Sequence, residues 1–206
     1  MLLIGHRGIN GIAPANTIQS FQKALDLGLD MIEMDLRLWE DTIVLTHDPI
    51  VDLDSNIPTL EEVLKFLDGR IRIYLDIKES VVLLHLCPLL LKVFDEGAWK
   101  PDQVYIASFN HYDLLIVKNF LPDVQRGALM CATPIGTSQV IKNASATFVV
   151  LDVRNLTTVM LDDCIKEGIK IFVYTIETHS QLEYCKKLGR VINGLVIDYP
   201  LEQLPF

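Results

Sequence analysis

Basic residues are in short supply in this chain of 206 residues: 18 Lys and Arg stand against 27 Asp and Glu, a formal net charge of -9. That deficit excludes a broad surface for nucleic acid or an anionic membrane, so an anionic substrate must be drawn in locally, by a metal or a few placed cations. Cysteine is sparse as well. Cys87, Cys131, Cys164 and Cys185 are widely spaced with no C-x-x-C, which argues against a zinc knuckle or compact disulfide framework and suits the reduced thiols of a cytoplasmic protein. Neither a G-x-G-x-x-G nor a Walker pattern is present, so no nucleotide-phosphate loop is expected. Long hydrophobic runs are lacking too. The most apolar window, Val81 to Phe94, is interrupted by His85, Pro88 and Lys92 and is too short to cross a bilayer. Met1 to Gly5 is apolar but has no basic leader and runs straight into charged residues, unlike a signal peptide. A soluble protein without stable membrane insertion is expected; its oligomeric state is not legible here.

What the chain does have is hydrophobic content of 50%, enough for one large domain with a substantial core over 1–206. Short β-branched or Leu-rich runs alternate with amphipathic helical stretches, the pattern of a parallel sheet with crossover helices. Strands are expected at 2–5, 31–37, 71–77, 104–108, 124–130, 147–153, 170–176 and 194–197, with a hairpin return at 42–46. The first helix is expected over 17–27, with Asn16 as N-cap and Gln19 in the capping-box position, and Thr59 with Glu62 forms a capping box for the next. An apolar helix should follow at 81–96, then helices over 110–120, 137–143, 159–167 and 180–188. Units of roughly 25 residues, with no linker between them, predict a single-domain (β/α)₈ TIM barrel. In such a barrel the chemistry sits at the carboxyl ends of the strands.

Polar residues fall at those ends. Glu33 and Asp35 alternate with apolar residues in Ile32-Glu33-Met34-Asp35, so a strand points both carboxylates to one face, where they repel unless a cation lies between them. Oxygen ligands suit Mg²⁺, Ca²⁺ or Mn²⁺. Asp76 and Lys78 alternate in the same way at the end of the third strand, and an Asp76–Lys78 ion pair in the barrel mouth is the rival to a metal role. His6 and Arg7 leave the first strand together, joining a proton carrier to a planar fork of donors for phosphate, and His47 supplies a second imidazole beyond the acidic strand. Two histidines, two cations and three acids are what metal-assisted phosphodiester cleavage requires. His85 reads as a helix-face residue, and His111 and His179 as solvated or capping residues at helix starts. Trp39 and Trp99 could cover the rim or meet a substrate, and Asp152 stands at a strand end with no motif around it.

The ordered set His6-Arg7-Gly8, Pro14-Ala15-Asn16-Thr17, Glu33-Met34-Asp35, His47-Asp48, Ile57-Pro58-Thr59-Leu60-Glu61-Glu62, Asp76-Ile77-Lys78, Ser108-Phe109 and Asp198-Tyr199-Pro200 resembles the glycerophosphodiester phosphodiesterase family of the PI-PLC-like superfamily. The resemblance spans nearly the whole chain. It implies a TIM barrel with a divalent ion on Glu33, Asp35 and Asp76 and a catalytic pair in His6 and His47. It further implies hydrolysis of a small-molecule glycerophosphodiester to glycerol 3-phosphate and an alcohol. Arg7 and Lys78 are expected on the substrate phosphate, and Ser108, Tyr174 and Asp198 in the substrate pocket. Departures from the family pattern are Ala15 for a glutamate, Asp76 for a glutamate, and Tyr174-Thr175-Ile176-Glu177 for Trp-Thr-x-Asn. The usual insertion after His47-Asp48 is reduced to Pro49–Ile57, which implies a more open site. Two rivals remain: lysophospholipase D or sphingomyelinase D-like cleavage, and a non-catalytic phosphate-ligand-binding barrel.

Overall fold

The computed structural model describes residues 1–51 and 57–206. Its strands are β1 (Leu2–Gly5), β2 (Met31–Trp39), β3 (Thr42–Leu45), β4 (Arg72–Ile77), β5 (Val104–Ser108), β6 (Gln125–Met130), β7 (Phe148–Asp152), β8 (Lys170–Ile176) and β9 (Gly194–Ile197). Its helices are α1 (Ile18–Asp26), α2 (Leu60–Leu67), α3 (Leu83–Asp95), α4 (His111–Phe120), α5 (Thr137–Asn143), α6 (Thr158–Lys166) and α7 (His179–Lys187). The strands β1, β2 and β4 to β9 pair in parallel, and because β1 pairs with both β2 and β9 the sheet closes into the expected eight-stranded TIM barrel. Strand β3 returns antiparallel along β2, with Leu45 opposite Leu36, and Leu45 N–H donates to Pro58 O at 3.0 Å.

Alternation along each strand divides the apolar residues into two layers. Inside the barrel Ile4, Met31, Tyr74, Tyr105, Phe148, Phe172 and Val196 fill the floor below the mouth. The rings of Phe148 and Phe172 lie 4.9 Å apart, and Gly127 makes room for them: a Cβ there would lie 2.3 Å from the Phe148 ring. Outside, the barrel is sheathed by helices whose apolar stripes follow helical spacing, as in Leu83, Leu86, Cys87 and Leu90 of α3. Among the described residues no helix is long and apolar enough to cross a membrane.

Local capping differs from expectation at α1. The N-cap is Thr17, whose hydroxyl accepts from Ser20 N–H at 3.2 Å, and not Asn16. Asn16 instead takes a left-handed turn, φ 57°, because its side chain is drawn into the barrel mouth. Thr59 and Glu62 do form the capping box expected of them. Trp99 is buried away from the rim, its Nε1–H donating to Leu64 O at 3.2 Å. His111 is tied by its ring to Leu129 O, 3.0 Å from Nε2, and so anchors the start of α4 to the end of β6.

Candidate active site at the carboxyl end of the barrel

The register of two neighbouring strands builds the centre of the site. Asp35 on β2 lies opposite Asp76 on β4, and Glu33 stands two residues below Asp35 on the same inward face. All three are buried, and their carboxylates offer ligand atoms within 4.8 Å of one another. Burial first, and then the charge of Asp35, pushes the Glu33 carboxyl up to about 8. Burial likewise raises Asp76 against the pull of Lys78. Burial works in the same direction on Asp35, but Lys78 and Arg7 outweigh it and hold that carboxyl below its ordinary value. Lys78 Nζ stands 2.5 Å from Asp76 Oδ2 and 2.8 Å from Asp35 Oδ1, so the ion pair that rivalled a metal role is present. It does not use up the cluster. Asp76 Oδ1 is buried with no hydrogen-bond partner, the condition of an oxygen left for a cation. Three buried carboxylates with an unsatisfied acceptor fit a hard divalent ion.

The loop after β1 is folded over these acids. Arg7 takes a left-handed conformation, φ 52°, followed by Gly8 at φ 94°, where a Cβ would run into Ser20 at 2.2 Å. This turn lets Arg7 N–H donate to Glu33 Oε2 at 2.7 Å and Gly8 N–H to Glu33 O at 3.2 Å. The Arg7 guanidinium lies with Nε 3.0 Å from Asp35 Oδ2. Asn16 completes the frame: its Nδ2–H donates to Asp35 Oδ2 at 2.8 Å, and its Oδ1 accepts from Asp35 N–H at 3.2 Å. His6 is partly buried and bonds through Nδ1 to Asp198 Oδ1 at 2.6 Å. Burial opposes its protonation, but the Asp198 bond and the charges of Glu33 and Asp198 prevail and its pKa is raised. His47 is more open, its side chain 47% exposed. It leaves the β2–β3 hairpin beside the acids, its backbone oxygen held by Arg37 Nε–H at 2.9 Å and its Nδ1 2.8 Å from Asp48 Oδ1.

His6, Arg7, Glu33, Asp35, His47, Asp76, Lys78 and Tyr174 thus line one cavity of about 380 Å³ at the barrel mouth. Two residues expected in the pocket do not line it. Ser108 points into the wall, where its hydroxyl donates to Asp113 Oδ2 at 2.8 Å and accepts from Asn110 N–H at 3.0 Å, a network that ties the end of β5 to α4. Asp198 stands behind His6 and holds the imidazole. On the far wall, sequence reasoning missed Arg154, which Asp152 clamps, and saw Glu177 only as a departure from a motif. The alternation of Asp152 and Arg154 past a strand end was the available signal. Ala15 lines an adjoining hollow of about 380 Å³ with Arg7 and His47. Residues 52–56 lie outside the described residues, and with them most of the short segment from which a more open site was expected.

Comparison with known proteins finds relatives along nearly the whole chain. A family model described as the glycerophosphoryl diester phosphodiesterase family matches residues 6–56 and 49–202. The chain is 28% identical over 232 residues to a glycerophosphodiester phosphodiesterase of Caldanaerobacter subterraneus, covering 97% of this chain and 94% of that one. It is 22% identical to a glycerophosphodiester phosphodiesterase of Bacillus altitudinis, covering 96% of this chain and 94% of its relative. Among solved structures, an Oleispira antarctica phosphodiesterase in complex with the product sn-glycerol-3-phosphate superposes with a TM-score of 0.85 at 21% identity, over 98% of this chain and 94% of that one. A crystal structure of a glycerophosphodiester phosphodiesterase from Parabacteroides distasonis gives 0.79 at 21% identity, over 98% and 94%. At those identities the two structures establish the shared fold.

Proposed function

The chain belongs to the glycerophosphoryl diester phosphodiesterase family, and from that premise we propose that it is a metal-dependent phosphodiesterase hydrolysing glycerophosphodiesters to glycerol 3-phosphate and an alcohol. The observation that carries this reading is the grouping of Glu33, Asp35 and Asp76 with His6, His47 and Arg7 in one cavity. Glu33, Asp35 and Asp76 would hold Mg²⁺, Ca²⁺ or Mn²⁺, and the ion would supply Lewis-acid polarisation of the phosphoryl group.

The chain's own residues do the rest. Arg7 and Lys78 offer N–H donors to the phosphoryl oxygens as charge builds there. His6 and His47 carry the proton: one imidazole takes it from the attacking oxygen, and the other gives one to the departing alcohol oxygen. The P–O bond to the alcohol breaks as the bond to the attacking oxygen forms. That oxygen is water's, or the substrate's own glycerol hydroxyl with water opening the cyclic phosphate afterwards; both routes need the same two proton carriers. Asp198 keeps His6 in one tautomer, with the proton on Nδ1 and Nε2 left free for transfer.

One observation favours a second reading, cleavage of a lysolipid phosphodiester. An open hollow of about 560 Å³ lined by Leu129, Met130, Pro134 and Val140 adjoins the cavity and shares Phe109, Leu129 and Cys131 with it. An acyl chain could lie there. Hydrolysis of glycerophosphocholine beside lysophosphatidylcholine, each with added Mg²⁺, Ca²⁺ or Mn²⁺ or with EDTA and with a Glu33→Ala control, tests both. Metal-dependent release of glycerol 3-phosphate that is lost in the control is the expected result. Absence of turnover with every metal, from folded protein, would leave a phosphate-ligand-binding barrel.

A further inference from the structure

The cavity has two unlike walls. The wall from β1, β2 and β4 carries the acids, His6, Arg7 and Lys78, while the wall from β5 to β8 carries Phe109, Asp152, Arg154, Tyr174 and Glu177. The cations of the first wall, Arg7 beside Asp35 and Lys78 beside Asp35 and Asp76, are assigned to the phosphoryl group in the proposed reaction. Nothing in the proposed chemistry uses the second wall.

Arg154 is held there in a fixed pose. Asp152, 3% exposed, accepts from Arg154 N–H at 2.9 Å, from Nε–H at 2.9 Å and from Nη2–H at 2.5 Å. One buried carboxylate therefore clamps both the backbone and one edge of the guanidinium, and a clamped fork loses less freedom when it binds a second anion. Nη1 makes no hydrogen bond among the described residues, and the side chain is 78% exposed. Glu177 follows β8 on the same wall. Its backbone N–H donates to Gln181 Oε1 at 2.7 Å, and its carboxylate has no ion-pair partner among the described residues. Arg154 and Glu177 line the same cavity, yet among the described residues they form no ion pair with one another. Beside them the rings of Phe109 and Tyr174 meet edge to face, 6.3 Å apart at 75°.

The geometry points to a subsite on this wall for a zwitterionic alcohol, with Arg154 taking its carboxylate, Glu177 its ammonium and the Phe109–Tyr174 corner its carbon skeleton. The inference rests on the phosphodiesterase reading and names the substrate class for it: diesters whose departing alcohol is an amino acid such as serine. A choline or ethanolamine head group would match Glu177 but leave Arg154 facing a cation, and a glycerol head group would match neither charge. An ammonium also gains from the aromatic faces, as cations do over Tyr and Phe rings.

The test compares kcat/KM for glycerophosphoserine, glycerophosphoethanolamine and glycerophosphoglycerol in wild type, Arg154→Gln and Glu177→Gln, with Mg²⁺, Ca²⁺ or Mn²⁺ present. Because both charges are exposed, the wild type should favour the serine diester over the glycerol diester by about fivefold, through KM. Arg154→Gln should abolish the preference for serine over ethanolamine, and Glu177→Gln should lower both ammonium-bearing diesters relative to the glycerol one. Raising salt should erode the wild-type preference. Turnover of all three diesters without preference, or equal losses on all three in both variants, would overturn the subsite and leave the phosphodiesterase reading standing. Failure of the wild type to hydrolyse any of them would overturn both.

Discussion

His6 Nδ1 and Asp198 Oδ1 are 2.6 Å apart across the seam at which the last strand of the barrel pairs with the first. The hydrogen bond joins residues 192 positions apart and fixes which ring nitrogen faces the cavity. An imidazole backed in this way titrates above its ordinary value, burial notwithstanding, because Asp198 and Glu33 favour its charged form. In metal-free protein, the His6 ring followed by NMR should therefore titrate above 6.5, and Asp198→Ala should bring it down. A raised folded-state pKa contributes stability that is fully present below the unfolded value and is lost as pH rises through the folded one. The deficit in Tm of Asp198→Ala relative to wild type should accordingly be larger at about pH 5.5 than at about pH 8. An equal deficit at both would show that the pair carries no charge.

The Glu33 carboxyl at the centre is raised to about 8, first by burial and then by the charge of Asp35 beside it. A bound cation should stabilise the fold by about 2.7 kcal/mol at a hundredfold excess over its dissociation constant. For a domain of this size that is a rise in Tm of roughly 5 to 10 °C. Glu33→Gln should show the reverse pattern: a Tm at or above that of metal-free wild type, and little response to Mg²⁺, Ca²⁺ or Mn²⁺. A variant that responds to metal as the wild type does would remove Glu33 from the ligand set.

Removing either of the two proposed proton carriers should cost turnover. His6→Ala and His47→Ala are each expected to lower kcat on glycerophosphocholine by about 10²- to 10⁴-fold. His47 is half exposed, so its substitution should leave the unfolding free energy within about 0.5 kcal/mol of wild type. Unchanged turnover in both variants would rule out the acid–base scheme.

Ser108 provides the complementary case. Its hydroxyl is buried and shared between Asp113 and Asn110, away from the cavity lining. Ser108→Ala should leave Asp113 Oδ2 without its donor and destabilise the protein by about 1–3 kcal/mol, with kcat/KM of the folded enzyme close to wild type. A selective loss of kcat/KM at unchanged stability would return Ser108 to the substrate pocket.

Much of this molecule is local and could be read as such. The alternation of Glu33 and Asp35 with apolar residues puts both carboxylates on one face of β2 whatever surrounds them, since the pleat has a period of two. Thr59 and Glu62 cap α2 through contacts three residues apart. Eight parallel strands separated by helical stretches leave few ways to bury their apolar faces, and a closed barrel is one of them. Where two local signals competed, the reading failed. Asn16 and Thr17 are both good caps, and the side chain of Asn16 goes to Asp35 because the Arg7–Gly8 turn brings them together.

Sequence alone therefore determined the strands, the face each acid occupies and the end of the barrel at which chemistry is expected. Register and closure decided the rest: that Asp198 stands behind His6, that Lys78 also reaches Asp35 on the neighbouring strand, and that Arg154 and Glu177 share a cavity with the acids. Spacing along a chain encodes direction relative to the local backbone. Which side chains meet across a barrel depends on register and closure, and those are set by the packing of all eight strands at once.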